Sequence, residues 1–204
     1  MLRNKQARSY HFLWPYLLLV AALAGGMLWH ESETVPGLGR TVVSGQALVG
    51  GPFRLTDQNG KPVSDRDFRG RYMLIYFGYS FCPDVCPTTL QVMADAIGKL
   101  GDKTGRITPV FITIDPERDT PKVLKEYMNA FGPNFVGLTG SAAAIKDVEK
   151  KYRVYAEKKP LAGGNYGMDH SSVLYLMGPD GRLVTYYDEA ISPDNLAKQL
   201  REKI

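Results

Sequence analysis

Apolar positions recur with two different periods in this chain, and the periods predict an ordered domain from about residue 52 onward. Nearly continuous apolar runs at residues 72–78 and 107–114 are typical of strands that are buried on both faces of a parallel sheet. Between them, residues 88–100 place apolar side chains every three or four positions, which is the spacing of an amphipathic helix. The pattern therefore predicts a strand, a helix and a second parallel strand in succession.

The flanking segments extend this pattern into a mixed α/β domain. Residues 115–121 read as a strand end followed by a helix cap, with Thr120 or Asp119 as the cap and Pro121 as the first helical residue. The order of elements fits a thioredoxin-like α/β sandwich with a central mixed sheet. The other predicted elements are a hairpin at 52–63, a helix from 121 to 131, a helix at 142–154 that runs into a short strand, paired strands at 172–177 and 183–187, and a last helix at 193–204 capped by Ser192.

The cysteine pair is the most informative chemical feature. Cys82 and Cys86 are the only two cysteines among 204 residues, and they lie between a predicted strand and a helix that Pro87 is expected to open. Because amides at a helix start carry partial positive charge, we expect the pKa of Cys86 to be lowered. A structural disulfide across so short a loop would contribute only about 2 kcal/mol. We therefore favour redox or metal chemistry over a structural bridge.

The N-terminal segment has the composition of a membrane-targeting sequence. Arg3, Lys5 and Arg8 precede an uncharged run at residues 12–29, which as a helix would reach about 27 Å, close to the thickness of bilayer hydrocarbon. We expect a transmembrane anchor, with the positive N-terminus in the cytoplasm. The alternative is a cleaved signal peptide, because the tripeptide Ala-Leu-Ala at 22–24 has the small-x-small form of a cleavage site.

These features predict three regions: a cytoplasmic tip and anchor at 1–30, a glycine-rich linker at 31–50 and one domain at 51–204. We expect a single-pass protein of the inner (cytoplasmic) membrane with its soluble domain on the periplasmic side. A thiol pair in that oxidising space becomes a disulfide unless a reductant or a metal protects it. The net charge of +4 comes mostly from the N-terminal tip, and no basic cluster is interleaved with aromatic residues, so we exclude nucleic-acid binding.

His170 is the one histidine of the predicted domain, and it precedes the strand predicted to start at Ser172. In a thioredoxin-like layout the loop before this strand folds back against the dithiol turn, although His170 read alone would be an ordinary loop histidine. Two thiolates and an imidazole suit Cu(I), and with one added ligand they suit Cu(II). Zinc accepts the same donors, so the residue types do not exclude it.

Three motifs occur together in this order: Gly-Tyr-Ser-Phe-Cys-Pro-Asp-Val-Cys-Pro at 78–87, Asp-Pro-Glu-Arg-Asp-Thr-Pro at 115–121 and Asp-His-Ser at 169–171. With these motifs the chain resembles the Sco/SenC family over roughly residues 45–204. Members of that family are membrane-tethered, thioredoxin-like proteins that bind one copper ion and help to assemble the dinuclear CuA centre of cytochrome c oxidase. The resemblance implies the same fold, anchor and role here.

The resemblance also implies that Cys82, Cys86 and His170 are copper ligands. The implied partners are the apo cytochrome c oxidase subunit that carries the CuA site, together with a copper donor and a thiol reductant. One alternative role is a thiol-disulfide oxidoreductase that reduces the cysteines of that subunit, and another is a copper or redox sensor. Against general exchange stand the three residues between the cysteines, where thioredoxins have two, and the absence of proline just before Ser172. The Pro-x-x-x-Thr-x-x-Cys pattern of peroxiredoxins is not met at either cysteine.

The residues around the predicted site allow further expectations. Asp84 and Asp169 either tune the ligands and dock a partner, or are simple turn residues. Tyr79 and Phe81 either shield the dithiol or are ordinary packing residues. The glycine-rich stretch at 161–167 predicts a mobile loop that would let His170 swing as copper arrives or leaves.

Overall fold

The computed structural model describes residues 49–204 of the chain. The segment predicted to anchor the protein in a membrane, residues 12–29, lies outside this described part, as does nearly all of the predicted linker. Within residues 49–204, no helix is both long and apolar enough to cross a bilayer. The anchor, the linker and the domain boundaries therefore stay predictions.

Seven strands form the central sheet, and two more form a separate small sheet. In chain order the strands are β1 (Arg54–Asp57), β2 (Pro62–Ser64), β3 (Tyr72–Gly78), β4 (Ile107–Thr113), β5 (Val136–Thr139), β6 (Ala156–Pro160), β7 (Tyr166–His170), β8 (Val173–Met177) and β9 (Leu183–Asp188). The large sheet has the order β2-β1-β5-β4-β3-β8-β9. β3, β4 and β5 are parallel, whereas β1 and β8 join them antiparallel. The sheet is therefore mixed, as predicted.

The helices pack around this sheet, and two of their caps follow the sequence prediction. The hydroxyl of Thr120 accepts from the backbone N–H of Val123, and the hydroxyl of Ser192 accepts from that of Asn195. The four α-helices in the described part are α1 (Val85–Gly98), α2 (Pro121–Asn129), α3 (Ala142–Tyr152) and α4 (Pro193–Lys203). Short 3₁₀ turns occupy Asp65–Phe68, Gly101–Arg106 and Ala162–Gly164.

The core is built on β3 and β4, which lie side by side at the centre of the sheet. Every residue of β4 is buried, and so is every residue of β3 except Tyr72. Helix side chains such as Leu90 of α1 and Leu124 of α2 are completely buried. The continuous apolar runs in the sequence thus predicted these two strands, and the architecture is the thioredoxin-like α/β sandwich that the element order indicated.

Two strands and one predicted loop differ from the prediction, each for an identifiable reason. β5 was missed because it has only four residues and contains a glycine, which gives no clear strand pattern. The short strand predicted after the helix at 142–154 is β6, but β7 was missed because its side chains are mostly half-buried and carry no apolar alternation. The stretch at 161–167, predicted as a mobile loop, forms the turn between the two strands and the first residues of β7. His170 accordingly ends a strand.

Candidate metal centre

A short turn joins β3 to α1 and carries Cys82, and Cys86 follows in the first turn of the helix. β3 ends at Gly78, where an added Cβ would lie 2.9 Å from the Cys86 sulfur, so only glycine lets the strand pass this close to the thiol. Ser80 is fixed from the side, since its backbone N–H donates to the carboxylate of Asp119 at 3.0 Å. The turn is therefore fixed where it leaves β3 and again at Ser80, which donates to the buried carboxylate of Asp119.

The two thiols occupy different environments at the start of α1. Both are free, and Cys86 is completely buried whereas Cys82 is half-buried. The backbone N–H of Cys86 points to the Cys82 sulfur across 3.4 Å, and the hydroxyl of Tyr76 donates to the Cys86 sulfur at 3.7 Å. The accessible sulfur is thus the one that faces the amides of the helix start.

The predicted lowering of the Cys86 pKa is wrong. Burial, reinforced by the neighbouring Cys82, raises the pKa of Cys86 to about 12. The helix also begins earlier than predicted, at Val85, two residues before Pro87. Cys86 therefore belongs to the first turn and points into the core, while Cys82 lies outside the helix and receives the amide.

His170 lies against the buried thiol. Its Nε2 atom is 3.6 Å from the Cys86 sulfur, and its Nδ1 donates to the carbonyl oxygen of Ser171 at 3.0 Å. A proton on Nδ1 leaves the Nε2 lone pair facing the sulfur, which is the arrangement of a metal-ligating histidine. Burial lowers the pKa of His170 and so favours the neutral imidazole that can bind a metal. The rings of Tyr76 and Tyr79 stand edge-on to the imidazole, with centroids at 6.3 and 6.1 Å.

The structure places Cys82, Cys86 and His170 near one another, but the three side chains do not form a closed metal site. Among residues 49–204, no three His, Cys, Asp or Glu side chains stand close enough together to enclose a metal ion. Cys86 and His170 are already in contact, and Cys82 must turn its sulfur toward them to complete a trio. The donor set of two sulfurs and one imidazole nitrogen fits Cu(I), and it also fits zinc with one added ligand.

The other residues singled out in the sequence fall into two groups. Tyr79 is buried beside the imidazole, whereas Phe81 is 56% exposed, and its shielding of the dithiol stays a prediction. Asp84 and Asp169 are both exposed, which leaves their roles as predictions. Sequence reasoning missed Arg118, whose guanidinium packs between the dithiol turn and the β6–β7 hairpin. The available signal was the cluster of charged residues directly after a fully apolar strand.

Known proteins resemble this chain in both sequence and fold. A family model described as SCO1/SenC matches residues 42–204. "Protein SCO1 homolog, mitochondrial" from Mus musculus is 40% identical over 185 residues, which cover 86% of this chain and 65% of that protein. The structure of Bradyrhizobium japonicum ScoI with copper bound matches with a TM-score of 0.72 at 44% identity, over 76% of this chain and 99% of that one.

A further solved structure, of BsSco, is described as showing a disulfide switch in a member of the Sco family of cytochrome c oxidase assembly proteins. It matches with a TM-score of 0.62 at 28% identity, over 76% of this chain and 93% of that one. The chain spans just under two thirds of the length of the first curated relatives, 65% and 64%. The matched family region contains both cysteines and His170. The chain belongs to the SCO1/SenC family.

Proposed function

We propose that the protein is a membrane-anchored copper chaperone that holds one copper ion through Cys82, Cys86 and His170. It would deliver this ion to the apo cytochrome c oxidase subunit that carries the CuA site. The observation that carries the proposal is the 3.6 Å approach of His170 Nε2 to the Cys86 sulfur, with Nδ1 committed to a backbone carbonyl. Copper-bound structures of similar proteins support it.

The unequal burial of the two thiols suits transfer by ligand exchange. Cys82 is accessible, so an incoming thiolate of the target subunit would replace this ligand first, and Cys86 and His170 would release the ion afterwards. Because burial raises the pKa of Cys86 to about 12, this thiol is protonated in the metal-free protein. It must lose its proton when Cu(I) binds and regain it on release, so affinity should rise with pH.

The proposal includes the location and the remaining partners. Residues 12–29 would anchor the chain in the inner membrane, and the linker at 31–50 would tether the domain at 51–204 on the periplasmic side. A tethered domain stays close to a membrane-bound target without a permanent interface. A copper donor and a thiol reductant complete the set of partners, since free thiols in an oxidising space need one or the other.

An anaerobic Cu(I) competition titration of the full chain in detergent tests the proposal. The unaltered protein should bind one copper per chain. His170→Ala should weaken binding at least tenfold, about 1.4 kcal/mol. His30→Ala is the matched control, because it removes a histidine outside the domain and should change nothing. Weak binding by the unaltered protein, or equal affinities for the two variants, would refute the copper site.

A thiol-disulfide oxidoreductase is the second candidate, favoured by the pairing of an accessible thiol with a buried one. The Cys82 thiolate would attack a disulfide of the target subunit and form a mixed disulfide. Cys86 would then displace the partner, which leaves with two thiols while a Cys82–Cys86 disulfide forms. In this case Cys86→Ser should trap the mixed disulfide with an oxidised CuA subunit, and no trapped species should form with a pure copper chaperone. A copper or redox sensor would bind copper without passing it on.

A further inference from the structure

Two buried carboxylates follow β4, and each needs partners because burying an unpaired charge is costly. Asp119 is completely buried and accepts from the backbone N–H and the hydroxyl of Ser80 and from the hydroxyl of Thr113. Ser80 lies two residues before Cys82. The loop after β4 therefore fixes the turn that carries the dithiol.

The same loop also holds the hairpin that carries His170. Arg118 Nη1 donates to the carbonyl oxygen of Tyr166 at 3.0 Å, and the guanidinium carbon lies 3.7 Å from the centroid of the Tyr166 ring. Asp115, which is 1% exposed, pairs with Arg118 Nε and accepts from the Tyr166 hydroxyl at 2.9 Å. Tyr166 is thus held at its backbone, its ring and its hydroxyl.

These contacts matter because no strand pairing ties the hairpin to the large sheet. Besides the Arg118 contacts, the hairpin is held by Ala156 and Met168, which pack against the core, and by Lys146, which donates to the carbonyl oxygen of Ala156 at 3.3 Å. β6 and β7 pair only with each other, and four of the five residues of β6 are exposed. Lys158 reaches Glu117 in the loop after β4, but both side chains are solvent-exposed, so this ion pair is weak. Tyr166 lies four residues before His170 on one strand, which places both side chains on the same face.

Arg118 also reaches the other side of the site. Its guanidinium carbon is 4.8 Å from the centroid of the Phe81 ring and 5.7 Å from that of Tyr79. These rings belong to the dithiol turn, and Tyr79 itself stands edge-on to His170. One planar cation is therefore packed between the segment that carries the thiols and the segment that carries the imidazole.

We propose that Arg118 is a positioning residue that joins the His170 hairpin to the dithiol turn and so keeps the imidazole at Cys86. Of the two measurements that test this inference, Cu(I) affinity rests on the proposed copper function, whereas the nuclear Overhauser effect does not. A lysine would not replace Arg118, because a compact ammonium lacks both the planar stack on Tyr166 and the fork that contacts Asp115 and the Tyr166 carbonyl together.

The test compares Arg118→Met and Arg118→Lys with Arg182→Met, a control arginine whose side chain is 89% exposed. The first readout needs no metal: it is the nuclear Overhauser effect between the His170 ring and the Tyr76 and Tyr79 rings in the full chain. This signal should vanish in both Arg118 variants and persist in the control. The second readout is Cu(I) affinity, which should fall about tenfold or more in Arg118→Met, as for other residues that orient metal ligands.

A double-mutant cycle separates positioning from general destabilisation. If Arg118 acts through His170, Arg118→Met should cost no further affinity once His170→Ala is present. Equal losses in both backgrounds would overturn the proposal, as would an unchanged Overhauser signal in Arg118→Lys, the variant that keeps the charge if Arg118→Met fails to fold. An unaltered protein that binds no copper, combined with a vanished Overhauser signal in the Arg118 variants, would refute the copper function and leave the positioning role supported.

Discussion

Replacing Gly78 by alanine should move the buried thiol and so weaken the metal site as well as the fold. An added Cβ would lie 2.9 Å from the Cys86 sulfur, 3.0 Å from a ring carbon of Phe111 and 3.1 Å from a ring carbon of Tyr76. Favourable separations between carbon atoms are about 3.5–4.0 Å, so all three neighbours must retreat. Each of them is completely buried, and none can turn out into solvent.

The expected cost is that of overpacking a core by one methyl group, about 1–3 kcal/mol. In a domain of this size that loss lowers the melting temperature by roughly 2–4 °C per kcal/mol. Gly137→Ala is the matched control, because its Cβ would lie 2.9 Å from Met128 and 3.3 Å from Leu124, on β5 and so two strands away from β3. Both variants should lose similar stability in thermal denaturation.

The two variants should differ in the metal assay. Gly78→Ala pushes the Cys86 sulfur away from its present place, so its Cu(I) affinity should fall at least tenfold, whereas Gly137→Ala should keep the affinity of the unaltered protein. The reasoning is refuted if both variants lose copper affinity equally, since the loss would then follow stability alone. It is also refuted if Gly78→Ala changes neither property, because the strand would then have room for the methyl group.

Further predictions concern titration and caps. Burial raises the pKa of Glu149, whose Oε1 has no partner, so Glu149→Gln should stabilise the protein at pH 7 by up to about 1 kcal/mol. In chemical denaturation this gain in stability should shrink as pH falls through the raised pKa toward 4.5. A gain that stays constant across that range would contradict the assignment. Burial, the largest cause of the raised pKa of Cys86, persists in Cys82→Ser, so alkylation of this thiol in the metal-free variant should stay slow at pH 9 and accelerate only at higher pH. The stability of the unaltered protein should fall as pH rises from 9 to about 12, because the unfolded chain loses this proton first. Rapid alkylation of the variant at pH 8 would disprove the assignment. Ser192→Ala should cost about 1 kcal/mol in thermal unfolding, because the N–H of Asn195 loses its partner, and Ser192→Asn should restore most of that loss.

The parts of the fold that sequence predicted are those where burial imposes a pattern on the chain. β3 and β4 are buried on both faces, so their apolar runs left little choice of structure. Thr120 and Ser192 cap their helices through local hydrogen bonds, which depend on residues three positions away and are recognisable in sequence. Local hydrogen-bonding signals and complete burial were therefore sufficient to predict the two central strands and these two helix caps.

The parts that sequence missed depend on contacts between distant segments. β7 has few buried side chains, so no periodicity indicated it, and its contact with Arg118 joins residues 48 positions apart. The Cys86 pKa was predicted in the wrong direction because the burial that raises it depends on the packing of the whole domain around this thiol. The proximity of His170 to Cys86 was expected only from a fold layout, since 84 residues separate them.

The domain contains two separate sheets: the seven-stranded sheet forms a frame, and the β6–β7 hairpin forms an arm. Since β6 and β7 share no ladder with the large sheet, lifting the arm breaks no strand pairing in the frame and leaves no open edge behind. Under the proposed function, His170 would then leave the copper ion without unfolding of the large sheet. Substitutions at the exposed positions 157–160 should change how long copper is retained while the melting temperature changes little.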